Sequence, residues 1–75
     1  MNGDDREVML RTEWIRLDQL LKRVDAVQGG GEAKVRIPAG EVRVNGAVET
    51  RRGRKLRPGD RVEIDGAGFR VVAPA

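Results

Sequence analysis

The chain contains no cysteine and no histidine, and its aromatic residues are one Trp and one Phe, with no Tyr. Without cysteine there is neither a disulfide staple nor a thiolate nucleophile. Without either residue the usual zinc and haem ligand sets are missing. No apolar stretch approaches the roughly 20 residues that a bilayer-crossing helix requires. The opening Met1-Asn2-Gly3-Asp4-Asp5 carries acids where a secretory signal carries bases. The expectation is a cytoplasmic protein with no membrane attachment, and the absence of cysteine agrees with a reducing compartment. The triplet Gly29-Gly30-Gly31 lacks the Lys-Ser or Lys-Thr pair that a phosphate-binding loop places at fixed spacing after it. None of the 12 carboxylates sits in an apolar sequence setting that would retune it for acid–base work, so no enzymatic activity and no cofactor are expected.

Seventy-five residues make one domain, since cores rarely divide until chains are several times longer. The expected division is a flexible segment over 1–7, a domain over 8–72 and a tail over 73–75. Seven of the 29 hydrophobic residues are Ala, which leaves 22 larger side chains to build a small core.

What the chain has in abundance is charge. Lys and Arg total 15 against 12 acids, a net charge of +3, and the distribution is uneven. Arg51, Arg52, Arg54, Lys55 and Arg57 fall within seven consecutive positions, and the rest of the chain is slightly acidic. Arginine's rigid five-donor fork suits phosphate oxygens. Too charged to bury, this segment reads as a solvent-facing loop or a bulged edge strand, with Leu56 pinning it to the body.

Around it the pattern of apolar residues sketches a fold. Glu13 to Leu17 alternates like a short strand, with Trp14 on the face opposite Ile15 and Leu17 and read as a core residue. Asp18 has the chemistry of a helix N-cap, and Leu17, Leu20, Leu21 and Val24 follow helical spacing, which leaves Lys22 and Arg23 accessible. The glycine triplet ends that helix. Over Glu32–Ile37 both helical and alternating patterns fit; a short helix is favoured, with Glu32 in its first turn and Pro38 stopping it. It would expose Lys34 and Arg36. Asn45-Gly46 between alternating segments signals a hairpin. Pro58-Gly59-Asp60 has turn chemistry, and Arg61–Asp65 and Phe69–Val72 read as strands. The fold class is α+β, two short helices packed against a small, mainly antiparallel sheet.

The run Arg16-Leu17-Asp18 with Leu20-Leu21, Gly30-Gly31-Glu32-Ala33-Lys34, Val42-Arg43-Val44-Asn45-Gly46, Glu49, Arg51-Arg52-Gly53-Arg54-Lys55-Leu56 and Pro58-Gly59-Asp60 resembles a known family. It is similar to the small RNA-binding domain named after ribosomal protein S-four, most closely its stand-alone, YbcJ-like bacterial branch, over about Glu13 to Ile64. The resemblance implies a pair of helices on a small sheet (the alpha-L RNA-binding motif) that contacts RNA through the two-helix face and the adjoining loop. Where that family commonly opens the second helix with Ser-Arg, this chain has Gly30-Gly31, and one cation is missing from that face. The expected partner is RNA, structured or ribosomal. Arg51, Arg52, Arg54 and Lys55 are the main contacts, Arg57 supports the loop, and Lys22, Arg23, Lys34 and Arg36 are secondary. The alternative is a protein-interaction module that docks on a ribosome or an RNA-processing partner through the same cations.

Overall fold

A computed structural model describes residues 5–74. The strands are β1 (Arg6–Met9), β2 (Ile15–Arg16), β3 (Arg43–Val44), β4 (Ala47–Val48), β5 (Lys55–Leu56), β6 (Arg61–Ile64) and β7 (Ala67–Val72); the helices are α1 (Leu17–Arg23) and α2 (Gly30–Arg36). Five strands form one sheet in the order β1-β7-β6-β3-β4, antiparallel except for the parallel β1–β7 pair, and β2 and β5 form a separate antiparallel ribbon. The α+β class with two short helices and a mainly antiparallel sheet is therefore present.

The core joins the helices to the sheet through aliphatic side chains. Leu17, Leu20 and Leu21 of α1, Ile37 after α2, Leu56 of β5, and Val42, Val62 and Val71 are fully buried, with Leu10 closing one end. Both tight hairpins turn on residues with positive φ, Asn45-Gly46 (53° and 83°) and Asp65-Gly66 (53° and 78°). Two successive left-handed residues give the turn a twist that matches its flanking strands. Gly59 sits at φ 100°, as the turn after Pro58 requires.

Several expectations need correction. The ordered chain does not wait for Val8: Arg6 and Glu7 already pair with Phe69 and Arg70 in β1, and Asp5 is ion-paired to Arg61. Parallel pairing with a strand more than sixty residues away holds this polar segment, and no local pattern could indicate it. Residues 1–4 of the expected flexible segment lie outside the described residues, as does residue 75 of the tail. Asp18 is not the N-cap of α1; Arg16 holds that position, Leu17 begins the helix, and the Gln19 side chain accepts from the Arg16 amide at 3.2 Å. The glycine triplet does not end α1 either. Val24 caps it, Asp25 takes the left-handed conformation (φ 59°), and the glycines instead open α2, with Gly29 as N-cap. Trp14 is exposed, not core, whereas Phe69 is buried. Among the described residues no helix is long and apolar enough to cross a membrane.

Candidate nucleic-acid interface

The segment 51–57 is built onto the start of α1. A helix leaves its first amides without partners inside the helix. Here the Leu17 amide donates to the Arg54 carbonyl (2.9 Å), the Asp18 amide to the Arg52 carbonyl (3.1 Å), and the Gln19 amide to Asp18 Oδ1 (2.8 Å). The loop's backbone thus caps the helix, and the helix fixes the loop. Beyond this turn, β5 pairs with β2 in the register Ile15↔Leu56 and Arg16↔Lys55. Leu56 faces inward and is fully buried, so the sequence-based reading of it as the anchor holds.

A single carboxylate organises the cations from inside. Glu49, only 8% exposed, accepts from the Arg51 amide and Nε (both 3.1 Å) and from Arg54 Nη1 (2.7 Å). The hydrogen bonds from Arg51, followed by those from Arg54, lower its pKa to about 2 against the opposing cost of desolvation. A buried acid this well satisfied remains charged throughout the neutral range, and it costs the Arg51 side chain little access, since that side chain is 73% exposed. Arg51, Gly53, Arg54, Lys55 and Arg57 line one open concavity of about 470 Å³.

The expected cations therefore fall into three situations. Arg52, Lys55 and Arg57 are exposed, and among the described residues none of them forms an ion pair with a carboxylate. Arg51 and Arg54 are shared with Glu49. Arg36 is not an accessible helix-face cation: its side chain is only 17% exposed and bonds Glu41 (2.7 Å), Glu32 (3.4 Å) and Asp65 (2.5 Å). The hydrogen bonds it donates to Asp65 and Glu41 raise its pKa further, and the first of these lowers that of Asp65. The enclosure of Arg36 arises because the β6–β7 turn brings Asp65 to α2 from 29 residues away. On the first helix, Arg23 turns toward β1, donating to the Met9 carbonyl at 2.6 Å, and Lys22 is exposed. Lys34 is exposed on α2. No side-chain hydrogen bond or ion pair among the described residues ties Lys22, Arg23 or Lys34 to the 51–57 loop.

A family model described as S4 domain matches residues 8–72. The chain belongs to this family. Over 66 residues this S4 domain is 50% identical to the "Probable ribosome maturation protein RlbA" of Bacillus subtilis (strain 168), covering 87% of this chain and 93% of that one. It is 41% identical over 59 residues to the "Putative RNA-binding protein YbcJ" of Escherichia coli (strain K12), covering 79% of this chain and 84% of that one. The "Uncharacterized protein YbcJ" of Shigella flexneri matches to the same extent.

Two side chains of this S4 domain beside the loop were not among the sequence-predicted contacts. Arg16 is exposed, pairs with Asp18 at 3.2 Å, and holds its guanidinium over Gly53, within 4 Å of where a Cβ would stand. Trp14 lies beneath the Lys55 ammonium, 4.6 Å from the ring centroid. Arg16 stands within the run that carries the family resemblance and could have been found there. Trp14 could not, because its exposure depends on a strand pairing 41 positions distant.

Proposed function

We propose that this S4 domain is a non-catalytic RNA-binding module that grips the phosphate backbone of a folded RNA, ribosomal or pre-ribosomal, with its 51–57 loop. The observation that carries this reading is the loop's charge balance: of five cations Glu49 binds two, Arg51 and Arg54, and the first turn of α1 holds the backbone beneath them. Order supplied before binding reduces the entropy cost of fixing long side chains on a ligand. Unpaired cations at an open surface neutralise phosphates and release the counterions condensed on the RNA. The names of the relatives, "Probable ribosome maturation protein RlbA" and "Putative RNA-binding protein YbcJ", support a ribosome-related RNA as the partner. Lys22 and Lys34 add long-range attraction rather than contacts, and Arg36 acts as a structural tie.

Reversal of the two loop arginines that form no ion pair among the described residues, Arg52→Glu with Arg57→Glu, tests this reading. In an anisotropy titration of a labelled RNA hairpin at fixed salt, the double variant should bind at least tenfold more weakly while its circular dichroism and Tm stay close to wild type. Unchanged affinity in a folded double variant would remove the loop from the interface.

A further inference from the structure

Trp14 occupies a position that core packing does not explain. The chain has two aromatic residues; Phe69 is buried in the sheet, while Trp14 keeps 37% of its surface in solvent. The β2–β5 ribbon accounts for where it stands. Side chains alternate between the faces of a strand, and directly opposed residues share a face. Ile15 and Leu56 point to the core and Arg16 and Lys55 point outward. Continued by one residue, the same register sets Trp14 opposite Arg57, on the outward face, diagonal to Lys55. The 4.6 Å approach of Lys55 Nζ to the Trp14 ring is this diagonal contact. The outward face of the ribbon therefore carries Trp14, Arg16, Lys55 and Arg57, one flat ring among three cations, next to the concavity that Lys55 and Arg57 also line. Thr12 Oγ1 donates to the Trp14 carbonyl at 2.7 Å and holds the bend that presents the ring.

We infer that this ribbon is a stacking platform: Trp14 receives an unpaired nucleobase while Lys55, Arg57 and Arg16 hold the flanking phosphates. The inference rests on the RNA-binding reading and names the part of the RNA that the site takes, a single-stranded loop or bulge rather than the side of a duplex. A base inside a helix offers no face to a side chain, whereas an unstacked base does. The cation above the ring fixes its orientation and enriches the edge of the platform in positive charge, which suits a base carried on a phosphate backbone.

The chain's only Trp is the probe, and with no Tyr its emission is free of background. Three RNAs are titrated, each labelled for anisotropy: a hairpin with a loop of about eight unpaired nucleotides, the same hairpin with abasic loop positions, and a fully paired duplex of equal phosphate number. The hairpin should quench Trp14 emission, and the other two should not. Trp14→Leu should weaken the hairpin about tenfold, leave the duplex and abasic hairpin within about twofold, and melt like wild type because the ring is exposed; Trp14→Phe should restore most of the loss. Hairpin affinity unchanged in Trp14→Leu, or equal losses on all three RNAs, overturns the platform while leaving the phosphate-binding loop standing. A wild-type protein that binds none of the three overturns both.

Discussion

Arg36 is surrounded by three carboxylates, Glu32, Glu41 and Asp65, whereas Arg51 and Arg54 share one, Glu49. The chemistry of the bonds is the same, but their stoichiometry reverses the result. At Arg36 the acids outnumber the cation, and the guanidinium staples α2 to the following segment and to the β6–β7 turn with no positive charge left over. At the loop, Glu49 holds Arg51 and Arg54 in place and Asp60 accepts only from the Arg57 amide, so the side chains of Arg52, Lys55 and Arg57 form no ion pair among the described residues. A count of arginines does not distinguish these two uses; a count of carboxylates within reach does.

The largest expected consequence of this difference is a steep response to salt. If the five loop cations meet five phosphates of single-stranded or looped RNA, log affinity falls with log salt at a slope of roughly −3.5, about a hundredfold between roughly 50 and 200 mM. With Arg52→Glu and Arg57→Glu in place the slope should flatten to about −2. A shallow slope for the wild type would break the comparison by showing that the surplus charge does not meet phosphates.

Next in size is the contribution of Glu49 to the fold. Glu49→Gln removes the charge from a buried set of hydrogen bonds and should cost about 2 kcal/mol, a fall in Tm of roughly 10 °C for a domain of this size. The same bonds set an acid limit. Because the folded-state pKa of Glu49 lies below its ordinary value of 4.5, its contribution is fully present above that pH and is lost as pH falls toward about 2. Thermal melts between those values should show wild type losing more stability than Glu49→Gln. The smallest effect sharpens the other half of the comparison. Arg36→Gln should change RNA affinity by less than about twofold at fixed salt, because attraction that acids have already cancelled contributes little. A tenfold loss in a folded variant would make Arg36 a contact.

Which parts of this molecule were legible in its sequence follows from how local their causes are. Asn45-Gly46 and Pro58-Gly59 announce their turns because positive φ is a demand on a single residue, and Leu56 announces its burial by standing alone among charges. The second helix was legible from Ala33 and Ile37 on one face and Pro38 beyond it, although its start lay earlier, at Gly30. Illegible were the features that depend on distant segments meeting: β1 beside β7, Ile15 opposite Leu56, and Asp65 reaching Arg36. The exposure of Trp14 and the enclosure of Arg36 both follow from such meetings, so reading each side chain from its neighbours in sequence misplaced both. The loop of cations was visible as composition. Its capping of α1 through the Arg52 and Arg54 carbonyls belongs to the backbone, which composition does not describe.

The most direct test is an amide chemical-shift map of ¹⁵N-labelled protein titrated with the looped RNA hairpin. The largest shifts should fall on residues 51–57 and on the amides of Leu17, Asp18 and Gln19, which bond to that loop or cap beside it. Shifts concentrated on residues 32–36, Glu41 and the 65–66 turn, with 51–57 unmoved, would contradict the account.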